Sequence, residues 1–394
     1  MDFNDLKEWT TIKNDIIKIY KYTIPIHGTK RPEIGKGGKN YSWNYTKEHY
    51  WTEAFWPGQL WLAYDDTKDK IFLDAARVHI PAFMKMLETP KWLHHDVGFL
   101  FLMSSVSDYK TTGDLEAKKR ALRAADILRS RFQWNGRYIQ AWNTKPNNDE
   151  WNKIAVGKMI IDSMENIHLL YWASRVTGET AYQEIANEHA LNMQKNIIRE
   201  DGSTYHCFNF DPITGNPLGG STHQGYSNES CWSRGQGWAI HGFAQAYLNS
   251  KNKSFLESAI FLADFVIDNI SDDMVPIWDF KAPKTSPQIK DSSAGAIISA
   301  GILTISSILE ELQDNRYKKY YKAGTDILRG LRKYCDITQI EGSQGLLNQG
   351  ASHVNKGGYW TQAMLIYGDY YYYEAVLRAL GKKDFVWTAG LEEK

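Results

Sequence analysis

The chain has 394 residues, room for one large domain or two ordinary ones, and its 46 basic and 46 acidic side chains cancel. That balance argues against nucleic acid or an anionic membrane as the main partner. Aromatics are 13% of the chain, with 15 Trp and 23 Tyr, a load that suits a large core or flat platforms for ring-shaped ligands such as sugars.

Three cysteines, Cys207, Cys231 and Cys335, are odd in number and form no C-x-x-C pair. A disulfide framework and a zinc site are both disfavoured. Residues 1–9 are polar and lack the apolar core of a signal peptide. The most apolar stretch, 294–309, is broken by Ser and Gly and is too short to span a bilayer. A cytoplasmic protein is therefore expected.

In chain order, residues 6–22 predict a helix with Leu6, Trp9, Ile12, Ile16, Ile19 and Tyr20 on its apolar face. The Gly-rich segment 28–40 predicts a loop. After the aromatic run Tyr50-Trp51-Thr52-Glu53-Ala54-Phe55-Trp56, helical patterns cover 59–64 and 69–87. A repeat then emerges. An apolar helix follows a polar loop, a short turn follows it, and a more charged helix completes the unit. The pairs are 98–109 with 115–132, 159–176 with 181–196, 232–248 with 255–270, and 293–312 with 317–334, followed by a last apolar helix at 359–380. Thr112-Gly113-Asp114 and Thr177-Gly178-Glu179 are the turns of the first two pairs. Residues 158–173 are expected to be helical throughout, with Asp162 one turn ahead of Asn166. Strand-like alternation is confined to 136–142 and 204–210.

The period is roughly 60 to 70 residues, which marks a repeat architecture. With the N-terminal helix as partner of the last, six apolar and six amphipathic helices result. Six pairs can close into a ring, so an all-α fold is expected, an (α/α)6 barrel of six inner and six outer helices spanning 1–394 as a single catalytic domain. The alternative is an open helical solenoid. The long insertions 28–50, 141–158, 199–233, 272–292 and 335–358 then gather at one end, where function concentrates.

Two carboxylates stand at equivalent places in successive repeats. Asp96 opens the second inner helix and Asp162 lies in the third. Adjacent carboxyls in one pocket push their pKa values apart, so that one stays neutral while the other is ionised. The competing reading is a pair of helix caps. His206, Gln224, Arg234 and Trp238 supply donors, a cation and a flat ring in the loop that follows. Arg234 is suited to gripping a carboxylate through two parallel hydrogen bonds. His94, His95 and Asp96 are consecutive, are expected to point different ways, and make a poor chelate, so no metal and no cofactor is assigned.

The segments His95-Asp96-Val97-Gly98-Phe99-Leu100, Ile161-Asp162-Ser163-Met164-Glu165-Asn166 and Ser233-Arg234-Gly235-Gln236-Gly237-Trp238 resemble those of the unsaturated glucuronyl hydrolases, glycoside hydrolase family 88. The resemblance runs from Trp51 to about Leu380, with three motifs in the right order. It implies the (α/α)6 barrel and removal of the 4,5-unsaturated uronic acid that lyases leave at the non-reducing end of glycosaminoglycan disaccharides. It implies Asp162 as general acid and base and Asp96 as the second essential carboxylate. It also implies His206, Gln224, Arg234 and Trp238 as substrate and water contacts, and Trp51 as the stacking aromatic, with Trp56 as the alternative. The loop Ala351-Ser352-His353-Val354-Asn355-Lys356-Gly357 keeps the family's lysine, Lys356, but only part of the serine pattern seen with sulfated substrates. The expected partner is an unsaturated uronyl disaccharide or short oligosaccharide. Two other readings stay open: an unsaturated rhamnogalacturonyl hydrolase acting on pectin fragments, and a non-catalytic sugar-binding protein.

Overall fold

A computed structural model describes residues 3–36, 41–47, 49–354 and 361–390. Its inner helices are Phe55–Thr67, a run over 97–112, a run over 163–177, Ser233–Ser250, Ser292–Glu311 and Ile366–Ala379. Each packs on the next: Ser233–Ser250 on Ser292–Glu311, that helix on Ile366–Ala379, and that one on Phe55–Thr67. Phe55–Thr67 packs on the 97–112 run, which meets 163–166, and 163–166 returns to Ser233–Ser250. The ring closes, so no end repeat is left with an open apolar face. The outer helices are Lys70–Arg77 with Ile80–Glu88, Leu115–Arg129, Thr180–Asn196, Lys253–Asn269, Tyr317–Tyr334 and, from the N-terminus, Phe3–His27. The fold is the expected (α/α)6 barrel.

Local chemistry accounts for the pairing. Gly113 (φ 73°) and Gly178 (φ 77°) end two inner helices in the left-handed conformation that glycine adopts without strain. One residue later Asp114 accepts the amides of Glu116 (2.8 Å) and Ala117 (3.3 Å), which starts the outer helix. Ser292–Glu311 is long and apolar enough to cross a membrane, yet 94% of its apolar 18-residue window is buried inside the barrel. Its small residues allow close approach, since a Cβ on Gly301 would lie 2.9 Å from the His241 amide nitrogen. Each fully buried Ile, Leu or Phe of the inner ring stabilises the fold by roughly 2 kcal/mol.

Several local expectations need correction. Lys158–Ile160 is a strand, paired with Cys207–Phe210, and the helix begins only at Ser163. Sheet pairing to a distant segment overrode the helical periodicity there. The segment 28–40 contains a strand, Pro32–Lys36, that pairs with Ser42–Tyr45 and with Ala363–Leu365. The last inner helix consequently starts at Ile366. The 97–112 run carries a π-helical turn, Leu102–Val106. The helix expected over 69–87 breaks at Val78 and His79.

Candidate active site

At the loop end of the barrel opens a cavity of about 830 Å³. Asp96 and Asp162 line it, together with Trp51, His206, Gln224 and Tyr367. The two carboxylates stand at helix starts, and neither side chain caps its own helix. The cap reading is therefore excluded, and both groups are left for other work.

Asn166 ties the pair together. Its side-chain Oδ1 accepts the Phe99 amide at 2.7 Å, which fixes the orientation of the group. Its Nδ2 therefore donates to Asp96 Oδ1 at 3.0 Å and to the Asp162 carbonyl at 3.1 Å. The helix starts approach closely because residue 98 is glycine: a Cβ there would meet the Asn166 carbonyl oxygen at 2.4 Å. The strand at Lys158–Ile160 ends with the Ile161 amide donating to the His206 carbonyl at 3.0 Å, which sets His206 beside Asp162.

Burial pushes Asp162 up from 3.8 to about 6, against the opposing charge of Arg234. Burial and the charge of Asp162 push Asp96 well above the usual carboxylate range, with Asn166 opposing. Two such groups titrate as a pair and hold a proton between them at neutral pH. Asp162 Oδ2 is buried without a hydrogen-bond partner. His206 Nε2 lies 3.8 Å from it. His206 Nδ1 accepts the amides of His223 and Gln224, both at 3.2 Å. Its proton therefore sits on Nε2, facing the carboxyl. Burial, with the neighbouring His223 and Arg234, keeps the ring neutral.

The remaining expected residues divide. Trp51 lies in the cavity wall, tilted against Tyr367 at 5.0 Å. Trp56 is in the core, edge-on to Tyr20 and His27, so of these two it is Trp51 that faces the cavity. Gln224 lines the wall and donates to the Ser352 carbonyl at 3.1 Å. Arg234 and Trp238 do not belong to the wall. Arg234 is 2% exposed and committed to Asp291 (2.5 Å), the Ala351 carbonyl (2.7 Å) and the Ser352 carbonyl (3.0 Å). Its fork braces the 351–352 loop from behind, which corrects the expectation of a free carboxylate grip. Trp238 is fully buried between Phe99 and Tyr371. Lys356 lies outside the described residues.

A second correction concerns the histidines. His94 Nδ1 is 3.4 Å from Asp96 Oδ2 and His95 Nε2 is 3.5 Å from Asp96 Oδ1. These donor atoms all lie within 4.8 Å of one another, close enough to hold a metal ion. The tight turn that bonds the Val97 amide to the His94 carbonyl (3.0 Å) curls both rings around Asp96 instead of splaying them. Sequence reasoning missed Tyr367, Tyr50, Trp142 and His353, which also line the cavity. It noted Asn166 only as a neighbour of Asp162. The aromatic content of the loops was the available signal.

The family model of Glycosyl Hydrolase Family 88 matches residues 28–382. The chain is 36% identical over 374 residues to an unsaturated glucuronyl hydrolase of Bacillus sp. (strain GL1), covering 94% of this chain and 96% of that one. It is 36% identical over 341 residues to an unsaturated chondroitin disaccharide hydrolase of Streptococcus pneumoniae, covering 86% and 83%. The crystal structure of the Bacillus sp. GL1 unsaturated glucuronyl hydrolase, described as responsible for the degradation of glycosaminoglycan, superposes with a TM-score of 0.88 at 34% identity, over 94% of this chain and 96% of that one. Sequence match, barrel closure and the paired carboxylates agree: the chain belongs to glycosyl hydrolase family 88.

Proposed function

We propose that the protein is the hydrolase that removes the 4,5-unsaturated uronic acid from the non-reducing end of lyase-generated glycosaminoglycan disaccharides, with Asp162 as general acid and base. The observation that carries this reading is the bridged carboxyl pair on the cavity wall. Asn166 donates to Asp96, and a donor favours the charged form. Asp162 Oδ2 receives no donor. Asp162, raised by burial to about 6, has a value that suits proton transfer near neutral pH.

In the substrate the C4=C5 double bond is conjugated with the ring oxygen. Asp162 delivers its proton to C4, and the positive charge spreads over C5 and the ring oxygen. Water adds at C5 and returns a proton to Asp162. The product is a hemiketal; it opens, and the link to the second sugar breaks. Asp96 orients sugar hydroxyls. His206 Nε2–H faces the same oxygen of Asp162 and orders the attacking water. Trp51 offers a flat face to the ring. The anomeric carbon is not attacked, so the carboxylate-spacing rule for retaining and inverting enzymes does not apply.

The test is the ultraviolet absorbance of the alkene in unsulfated chondroitin, sulfated chondroitin, hyaluronan, heparin and rhamnogalacturonan lyase products. Loss on a glycosaminoglycan product is expected. Loss on the rhamnogalacturonan product alone would move the substrate to pectin fragments. No loss on any would leave a sugar-binding protein.

A further inference from the structure

Below the cavity the barrel buries a second set of charges that no step above uses. Glu165, His241 and Glu374 are each 0% exposed and come from three different inner helices. His241 Nδ1 lies 2.9 and 3.0 Å from the two Glu165 oxygens, and its Nε2 lies 3.0 Å from Glu374 Oε1. A ring with a carboxylate at each nitrogen must donate from both, so it is an imidazolium. Burial alone would lower its pKa, but Glu165 and Glu374 outweigh burial and push it up to about 8.

The two carboxylates also receive side-chain donors. Tyr371 donates to Glu165 Oε2 at 3.0 Å. Trp387 Nε1 donates to Glu374 Oε2 at 2.7 Å, and Arg378 Nε to Glu374 Oε1 at 2.8 Å. Gln245 reaches His241 from its own helix and Thr304 from the next. His168, with Arg175 behind it, and Tyr370 are the other titratable groups that feel this cluster. A buried ion network of this kind is no more stabilising than a packed apolar set of equal volume. Its position suggests another purpose. The Glu165 amide donates to the Asp162 carbonyl at 3.1 Å, so the two side chains leave the same helical turn.

We propose that Glu165, gripped by His241, is a positioning residue for Asp162: its buried carboxylate, one turn below the acid, keeps the proton on Asp162 until the substrate takes it. This rests on the reading of Asp162 as the acid. Burial raises Glu165, while His241 and Tyr371 favour its charged form; the charge that Glu165 carries in turn raises Asp162, since two like charges one turn apart in a dry interior cannot both form cheaply. The charges that act on Asp162 from other elements are Asp96, His206 and Arg234, and none of these touches the lower cluster.

The experiment is the pH profile of kcat/KM for Glu165→Gln in the full chain, on whichever unsaturated disaccharide the wild type consumes. The alkaline limb is expected to move by about one pH unit toward acid, with activity retained on the acid side. Should the lone substitution prevent folding, the double variant Glu165→Gln/His241→Gln removes both charges together, which buried pairs tolerate better. It is expected to move the limb the same way by less. A folded variant whose limb stays in place, whatever its kcat, overturns the proposal. Asp162→Asn separates the two ideas. If that variant keeps its turnover, the acid assignment fails; if it is inactive while the limb of Glu165→Gln stays put, only the role of Glu165 fails.

Discussion

The barrel buries charge at two levels, and it treats them in opposite ways. At the lower level, the Glu165 and Glu374 carboxylates and the His241 ring are fully enclosed and are met by Tyr371, Trp387, Arg378 and Gln245. At the upper level, Asp162 Oδ2 is buried with no hydrogen-bond partner, although it lines a cavity of about 830 Å³. An unpaired polar atom costs about 1–3 kcal/mol, and natural proteins keep such costs where a ligand or reaction requires them. The lower cluster keeps its charges in place beneath the acid; the upper one faces the substrate cavity.

Changes at the two levels therefore differ in how strongly they move turnover and stability. The largest expected effect is Asp162→Asn, with turnover down about 10³-fold in the alkene absorbance assay. The same variant sharpens the contrast through stability. Asp162 is raised from 3.8 to about 6 on folding, so the native state binds more protons than the unfolded one across that range. Stability therefore falls as pH rises through it. Asparagine removes this penalty, and the variant should be more stable than wild type by about 3 kcal/mol at pH 7. Urea unfolding at pH 7 and pH 4 checks the sign: the gap should shrink at the lower pH.

The two tryptophans come next. Trp56→Ala, in the core, should lose about 3–5 kcal/mol of stability. Trp51→Ala should instead raise KM about tenfold with a smaller loss, on the scale of one aromatic stacking contact. If Trp51→Ala unfolds the protein and leaves KM unchanged in any folded fraction, Trp51 belongs to the core. Asn166→Ala should lower both turnover and stability, because it strands the Phe99 amide and frees Asp96 from its donor; a loss of about 2 kcal/mol is expected by thermal unfolding. The smallest effect belongs to the lower level. Trp387→Phe removes one donor from Glu374 and should cost about 1–2 kcal/mol while leaving kcat within about twofold. A kcat loss larger than the stability loss there would break the comparison.

Much of this was readable along the chain. The helix pairs, their count and the left-handed glycines that separate them are local signals, because an amphipathic period reports which face of one element is buried. Asp96 and Asp162 stood out because carboxylates sat where apolar residues or caps were expected. His206, Arg234 and Trp238 drew attention as a donor, a cation and a flat ring in one loop, and the structure puts Arg234 and Trp238 behind the wall instead of in it. Composition gave no way to tell a wall residue from one a layer deeper.

What only tertiary structure decided are the relations across the ring. Lys158–Ile160 became a strand because Cys207–Phe210 pairs with it. Trp51 faces the cavity and Trp56 the core because Tyr367 and Tyr20 arrive from elsewhere in the chain. The lower cluster joins groups 76 and 133 residues apart, and Tyr371 reaches Glu165 across 206. The sequence by itself determines each helix and its buried stripe. Which charge meets which is set by ring closure, because a period of a few residues carries no information about a partner hundreds of residues away.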